Sequence, residues 1–140
     1  MIADFERLLD ADIAATTELS IAFRRWCADL ALTQSEILQV NLVVEELVTN
    51  VIVHGFRAQA HGWLRLRVRH EADHLTVELC DNAPAFNPFR VPPPQFTPSV
   101  EEREIGGLGI HFVRVLTDGW SYRREAGQNI VRVRKKLTQR

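Results

Sequence analysis

Cysteine, methionine and excess charge are all scarce in this chain. Its 140 residues include two cysteines and one methionine, and 17 basic side chains nearly balance 18 acidic ones, for a formal net charge of −1. Cys27 and Cys80 lack metal-type spacing, so we expect reduced thiols in the core. Without a cationic excess, nothing overall favours binding to nucleic acid or to an acidic membrane.

Long apolar runs are also missing from the sequence. The N-terminus, Met1 to Glu6, carries acidic residues early and lacks the apolar segment of a secretory signal. We find no window that approaches the length of a membrane span. These observations predict a cytoplasmic protein with no membrane partner. A 46% hydrophobic content in 140 residues suits one domain, residues 1–140.

Three segments repeat apolar residues with the period of an α-helix. The first covers residues 12–31, with Leu19, Phe23, Trp26 and Leu30 on its apolar face. The second begins at the capping-box pattern of Thr33 and Glu36 and ends at Gly55, a glycine typical of helix C-termini. The third begins at the glycines near residue 106, and its predicted buried side is Leu108, Phe112, Val115 and Leu116.

Other segments alternate apolar and polar residues, as half-buried strands do. We predict an edge strand at 2–9, a hairpin of 64–68 with 75–79, and a last pair at 120–125 and 129–136, joined around Gly127. The predicted fold is therefore α/β in the α+β sense. It is a two-layer sandwich with three helices on one face of a mixed, mostly antiparallel sheet.

The segment from Pro88 to Pro98 contains five prolines in eleven residues. Proline has no amide donor and restricts the residue before it, so this stretch cannot be regular helix or central strand. Long loops inside compact domains are usually functional or disordered. We interpret residues 88–106 as a candidate lid.

The second helix carries a polar trio: Glu46, Asn50 and His54, spaced by four, line one face beside its apolar stripe. A carboxylate and an amide oxygen one turn apart suit Mg²⁺. A plain solvated face is the alternative.

Asp81 falls on the inward side of its strand when residues are counted by twos from Leu75. A carboxylate there must find a partner or lose its charge. It could cap the following Asn-Ala-Pro turn or face a ligand in a cavity.

The third motif is Gly106-Gly107-Leu108-Gly109 at a helix start. Glycines in that place let backbone N–H groups approach a phosphate closely, although a tight turn would use them too. The motif is neither a P-loop nor a dinucleotide-binding fingerprint.

Taken together and in this order, the three motifs resemble the GHKL ATPase superfamily, whose ATP-binding unit is the Bergerat fold. The resemblance covers about residues 12–138, and the E-L-V-T-N wording of residues 46–50 is most similar to the anti-sigma-factor serine/threonine kinases. It implies that Glu46 is the general base, that Asn50 holds Mg²⁺ and that Asp81 accepts a hydrogen bond from the adenine amino group. The implied nucleotide-binding set is Asn50, His54, Asp81, Ala83, Phe86, Arg103, Gly106, Gly107, Leu108 and Gly109.

The chain departs from the family pattern in three places. Ala83 replaces the glycine of D-x-G, and Ile105 replaces a lid arginine, for which Arg103 is the nearest candidate. Gly127-Gln128-Asn129 replaces the Gly-Thr that many relatives have at a strand end.

The resemblance implies an ATP-dependent serine/threonine kinase that acts as an anti-sigma factor. Its partners would be an anti-anti-sigma (STAS-type) protein, which it phosphorylates, and a sigma factor, which it sequesters; homodimerisation stays open. The altered lid leaves a second hypothesis, a non-catalytic ATP-binding module that sequesters a partner. A histidine-kinase ATPase half is disfavoured, because no histidine precedes His54.

Overall fold

The computed structural model describes residues 2–57, 61–90 and 107–138, except for the side chains of Gly107 and Leu108. It confirms the predicted three helices and five strands. The strands are β1 Ile2–Asp10, β2 Trp63–Glu71, β3 His74–Asp81, β4 Gly119–Glu125 and β5 Gln128–Lys136. The helices are α1 Ala15–Ala28, α2 Gln34–Asn50 and α3 Gly107–Leu116, with a π-turn at Val51–Gly55 and a 3₁₀ turn at Pro88–Arg90. The first helix is shorter than predicted at both ends.

The sheet has the strand order β1-β2-β3-β5-β4. All four pairings among the described strands are antiparallel, so the expectation of a mixed sheet was wrong on that point. The β2–β3 hairpin turns at Ala72, with φ 51°, and the β4–β5 hairpin turns at Ala126 and Gly127, with φ 51° and 74°. β1 lies at the edge, as predicted.

The core fills the space between one face of the sheet and the helices. Alternate residues of the central strands point into it, whereas the residues between them, such as Arg67, Arg69, Arg132 and Arg134, are exposed. The sheet side of the core is Leu64, Leu66, Val68, Leu75, Val77, Leu79, Val131 and Val133, and the helices contribute Phe23, Val40, Val44, Leu47, Val48, Ile110 and Val113. Cys27 and Cys80 are buried free thiols, as predicted.

The predicted capping box opens α2. The Thr33 side chain accepts a hydrogen bond from the Glu36 backbone, and Glu36 Oε1 accepts one from the Thr33 backbone at 2.8 Å. The second carboxylate oxygen of Glu36 accepts a bond from the Thr138 backbone at 2.7 Å, which ties the segment after β5 to the helix start.

The end of α2 differs from the prediction. The helical rod does stop at Gly55, but Gly55 does not adopt the left-handed conformation of a C-terminal glycine. After Asn50 the helix widens into the π-turn, and the first residue with positive φ is Arg57, at 49°. Glu46, Asn50 and His54 therefore do not share one regular α-helical face.

The rod Gln34–Gly55 is 22 residues long and, by length and composition alone, apolar enough to cross a membrane. This corrects the expectation that no such window exists. Half of the apolar window is buried inside the domain, where Val40, Val44 and Val48 are at most 1% exposed. Core helices of globular domains pass the same test.

α3 buries a different face from the predicted one. Ile110 and Val113 are fully buried, whereas Phe112 and Val115 are 44% and 64% exposed. Two apolar stripes compete on this short helix, and the sequence alone does not choose between them. Gly109 faces the Glu46 side chain of α2, so the side of α3 that carries Gly109 is the side turned towards α2.

Candidate functional site

Glu46 lies where α2 meets the first turn of α3. A β-carbon added to Gly109 would stand 1.9 Å from Glu46 Oε2, a distance that no real pair of atoms tolerates. A residue without a side chain is therefore required at 109 for this approach. The result is a carboxylate placed against the N-terminal turn of a helix, one helical turn before Asn50.

The surroundings of Glu46 favour its neutral form. Burial raises the pKa of the Glu46 carboxyl above its ordinary value, and the neighbouring charge of Glu45 adds to that effect. Glu45 itself is held towards α1, because its Oε1 accepts bonds from Ser20 Oγ at 2.8 Å and Asn41 Nδ2 at 3.0 Å. A carboxylate with a raised pKa in a partly dry site has the character of a general base.

Asn50 is the last residue of α2 and is 3% exposed. A buried amide one turn from a carboxylate fits a magnesium site in which phosphates and waters supply most of the ligands. The described residues contain no cluster of three or more histidine, cysteine or acidic side chains that would hold a metal on their own.

Asp81 ends β3 inside the fold, with 1% exposure. Its Oδ1 accepts bonds from the Ala83 backbone and from Asn129 Nδ2, each at 2.9 Å. Burial raises the pKa of Asp81, and the bonds from Asn129 and Ala83 and the charge of Arg124 oppose that rise. The two roles predicted for this residue, capping the following turn and facing a ligand, are compatible, because the turn cap uses only Oδ1.

The loop after β3 needs no glycine at position 83. Ala83 is 1% exposed, and the positive-φ residues of the described chain are elsewhere. The departure from D-x-G is therefore accommodated without left-handed backbone. The loop packs on the end of α2: a β-carbon at Gly55 would lie 3.6 Å from the Phe86 ring and 3.7 Å from the Ala83 β-carbon.

His54 and Phe86 stack with ring centroids 6.5 Å apart and an interplanar angle of 24°. This contact joins the π-turn to the loop after β3. It brings the helix that carries Glu46 and Asn50 together with the strand end that carries Asp81. The structure thus collects Glu46, Asn50, His54, Asp81, Ala83, Phe86 and Gly109 around the junction of α2, α3 and β3.

Several predicted site residues lie outside the described part of the chain. These are Arg103, Ile105, Gly106 and the segment 91–106 of the candidate lid; Gly107 begins α3, and the Leu108 side chain is not described. The 3₁₀ turn at Pro88–Arg90, just before these residues, is held by two contacts. Phe89 stacks on Trp120 at 6.0 Å between centroids, and Arg114 donates a hydrogen bond to the Phe89 carbonyl.

Sequence reasoning missed the importance of Asn129. The side chain is 1% exposed and faces Asp81 across the β3–β5 ladder. Counting by twos from Val133 and Val131 places Asn129 on the inward face of β5. The same rule found Asp81, so the signal was present in the sequence.

Fold and site together define a two-layer sandwich with one polar site between the central helix, the first turn of α3 and the end of β3. The family described as the histidine kinase-like ATPase domain matches residues 9–135. The chain therefore belongs to the histidine kinase-like ATPase domain family, as the resemblance implied, and membership of that family implies the use of ATP.

The alignments of this chain with three curated relatives cover most of each relative's length. The serine/threonine-protein kinase BtrW of Bordetella bronchiseptica is 26% identical over 86% of this chain and 87% of that protein. The anti-sigma F factor of Clostridium botulinum is 30% identical over 84% of this chain and 82% of that protein. The serine-protein kinase RsbW of Listeria innocua is 25% identical over 66% of this chain and 61% of that protein.

A solved structure supports the fold. The crystal structure of the RsbU and RsbW domains of a Mycobacterium tuberculosis protein is similar with a TM-score of 0.66 and 16% identity. The match covers 99% of this chain and 33% of that one. It confirms the α+β architecture.

Proposed function

We propose that this chain is an ATP-dependent serine/threonine protein kinase that acts as an anti-sigma factor in a cytoplasmic partner-switching pathway. Its substrate would be a serine on an anti-anti-sigma protein of the STAS type, and its alternate partner a sigma factor. The observation that carries the proposal is the Glu46 carboxylate, half-buried and set against Gly109 in the first turn of α3. The names of the kinase and anti-sigma relatives support it.

Glu46 is the group that moves a proton. In phosphoryl transfer the serine oxygen bonds to the γ-phosphorus, the bond from that phosphorus to the bridging oxygen breaks, and ADP leaves. Glu46 takes the proton of the serine hydroxyl. A positioned base of this kind contributes about 10²–10⁴-fold to the rate.

The remaining residues hold and orient the nucleotide. The amide of Asn50 would hold Mg²⁺, which neutralises phosphate charge in such reactions. Asp81 would accept the adenine amino group, while Phe86 and His54 line the adjoining wall. The first turn of α3 presents backbone N–H groups, which favour an anionic phosphate.

The test is transfer of labelled phosphate. The protein is mixed with γ-labelled ATP, magnesium and small STAS-type proteins from its own genome, and phosphoserine is mapped in the products. We expect one acceptor serine with wild type and no label with Glu46→Ala, while Glu71→Ala, an exposed glutamate at the end of β2, serves as control. If ATP binds and no acceptor is labelled, the kinase proposal fails.

A second candidate, a non-catalytic ATP-binding module that sequesters its partner, is favoured by Ile105 in place of the lid arginine. Co-purification with and without Mg-ATP separates the two. In a pure binding module Glu46→Ala leaves ATP-dependent release or capture of the partner unchanged. In a kinase the same variant blocks partner exchange because the acceptor is never phosphorylated.

A further inference from the structure

Asn129 is the most densely bonded side chain at the site. Its Oδ1 accepts bonds from the Phe86 backbone at 3.1 Å, from Tyr122 Oη at 2.6 Å and from Arg124 Nη1 at 3.0 Å. Its Nδ2 lies 2.9 Å from Asp81 Oδ1, 3.0 Å from the Pro84 carbonyl and 3.3 Å from the Ala83 carbonyl. One buried amide thus connects β4, β5, the end of β3 and the loop that follows it.

The chemistry of these neighbours determines which way the amide points. A backbone N–H and a guanidinium can only donate, so the atom facing Phe86 and Arg124 must be the oxygen. Carbonyl oxygens can only accept, so the atom facing Ala83 and Pro84 must be the nitrogen. The group that meets Asp81 is therefore a donor.

The bond from Asn129 Nδ2 determines which oxygen of Asp81 can bind a ligand. Asp81 Oδ1 is taken up by Asn129 and by the Ala83 backbone, so Oδ2 is the oxygen that remains for another donor. A donor at Oδ1 also favours the ionised carboxylate, which accepts and does not donate. An accepting oxygen selects the amino group of adenine over the carbonyl oxygen that guanine carries at the same ring position.

We propose that Asn129 is a positioning residue for nucleotide recognition: it orients the Asp81 carboxylate and keeps the second oxygen of Asp81 an acceptor for the adenine amino group. This inference rests on the proposed use of ATP by this site. It also accounts for the tolerance of Ala83, since the loop is held from β5 by Asn129 and from β4 by Arg124, whose Nη1 donates to the Ala83 carbonyl at 3.2 Å.

Among the described residues, few charges lie around Asp81 that would complicate a titration. Arg124 on β4 is the charged group that acts on it, while its ladder partners Leu64 and Asn129 are neutral. His54, from the π-turn that follows α2, stacks on Phe86. An added carboxyl at position 129 would therefore couple directly to Asp81, and the two groups would share a proton.

The sharpest test compares Asn129→Thr with Asn129→Val. The two side chains have nearly the same shape, and only threonine offers a donor across the ladder. We expect Asn129→Val to weaken ATP binding about tenfold or more and to narrow the preference for ATP over GTP, because a bond to a charged group is lost. Asn129→Thr should keep most of the ATP affinity and most of the preference for ATP over GTP. The proposal would be overturned if Asn129→Val and Asn129→Thr both had the same ATP affinity and the same GTP affinity as wild type.

A pH profile distinguishes orientation from simple loosening of the loop. Asn129→Asp keeps the acceptor side and can donate to Asp81 Oδ1 only through the proton that the two carboxyls share, so its ATP affinity should be closest to that of wild type at low pH and fall as the pH rises and that proton leaves. Asn82→Asp adds the same charge one residue from Asp81 at an exposed side chain that already accepts from the Trp63 backbone at 2.9 Å, so its profile should follow wild type. Parallel profiles for Asn129→Asp and wild type would contradict the inference.

The same titrations separate this inference from the proposed function. If wild type binds no ATP, the function itself is wrong. If wild type binds ATP and the position-129 variants behave like it, with unchanged thermal melting, only the role of Asn129 is wrong.

Discussion

At the scale of single residues, the site places ionisable groups where charge is costly. Glu46 and Asp81 are both carboxylates whose pKa burial raises, and neither has a salt bridge among the described residues. Such positions work against folding and are kept where chemistry needs them.

Glu46→Gln should raise the thermal stability at neutral pH while it reduces phosphoryl transfer by about 10²–10⁴-fold. Because the pKa of Glu46 is higher in the fold than in the unfolded chain, its ionised form destabilises the fold above that pKa. The difference in Tm from wild type should therefore vanish as the pH falls below about 4, where both states bind the proton. Melting scans from pH 3.5 to 8 check this.

The exposed Glu71 supplies the control for that experiment. Glu71→Gln should show no comparable rise in Tm. A Glu46→Gln protein that melts below wild type at pH 7 would contradict the assigned environment.

At the scale of elements, the close approach of α3 to α2 organises the catalytic side of the site. The contact of Glu46 with the first turn of α3 depends on Gly109, and Ile110 and Val113 are the α3 residues that are fully buried. Two further contacts anchor the neighbourhood of α3: Arg114 donates to the Phe89 carbonyl and Lys135 Nζ donates to the Leu116 carbonyl at 2.8 Å.

Gly109→Ala should cost most of the transfer activity and little of the stability. The new β-carbon would collide with Glu46 Oε2, the end of a flexible side chain, so Glu46 would turn away before α3 moved. Gly119→Ala is the matched control, because a β-carbon there meets nothing within 4 Å. The rate of phosphoryl transfer and the free energy of unfolding in urea are measured for both variants. Equal transfer rates in the two would show that the contact between Gly109 and Glu46 does not matter for activity.

The start of α2 supports a separate stability prediction. Glu36→Ala removes the bonds to the Thr33 and Thr138 backbones and should lower the free energy of unfolding by about 1–3 kcal/mol. Thr33→Ser retains a capping hydroxyl and should cost only a few tenths. Urea titrations measure both, and an unchanged midpoint for Glu36→Ala would show that the two bonds contribute nothing.

Period and capping signals located the three α-helices and the five strands. The capping box at Thr33, the edge strand β1 and the β2–β3 hairpin follow from local chemistry, and the structure confirms them. The buried face of α3 and the π-turn after Asn50 could not be predicted, because each depends on contacts with distant residues. Asp81 was found by its inward position, whereas the bonding of Asn129 needed three separate segments to be brought together.

At the scale of the whole molecule, nucleotide binding should couple to global stability. A ligand that binds only the folded state adds about 2.7 kcal/mol when its concentration is 100 times its Kd. We expect Mg-ATP to raise the Tm of wild type more than ATP with a chelator does. In Asn50→Ala the two additions should give nearly equal shifts, because the magnesium ligand is gone; a wild-type dependence on magnesium in that variant would contradict the role of Asn50.

The two hairpin turns carry a consequence for engineering. Ala72 and Ala126 both hold φ near 51°, a conformation in which a methyl group is crowded and glycine is not. Replacing each alanine with glycine should raise the free energy of unfolding by about 1 kcal/mol per site. Ala72 is the cleaner site, because Ala126 lies in the hairpin that carries Arg124 and Asn129, whose side chains hold Asp81 and its loop. A stabilised background of this kind would stay folded when substitutions in the pocket lower its stability. Loss of activity in such a variant could then be attributed to the site and not to unfolding of the chain.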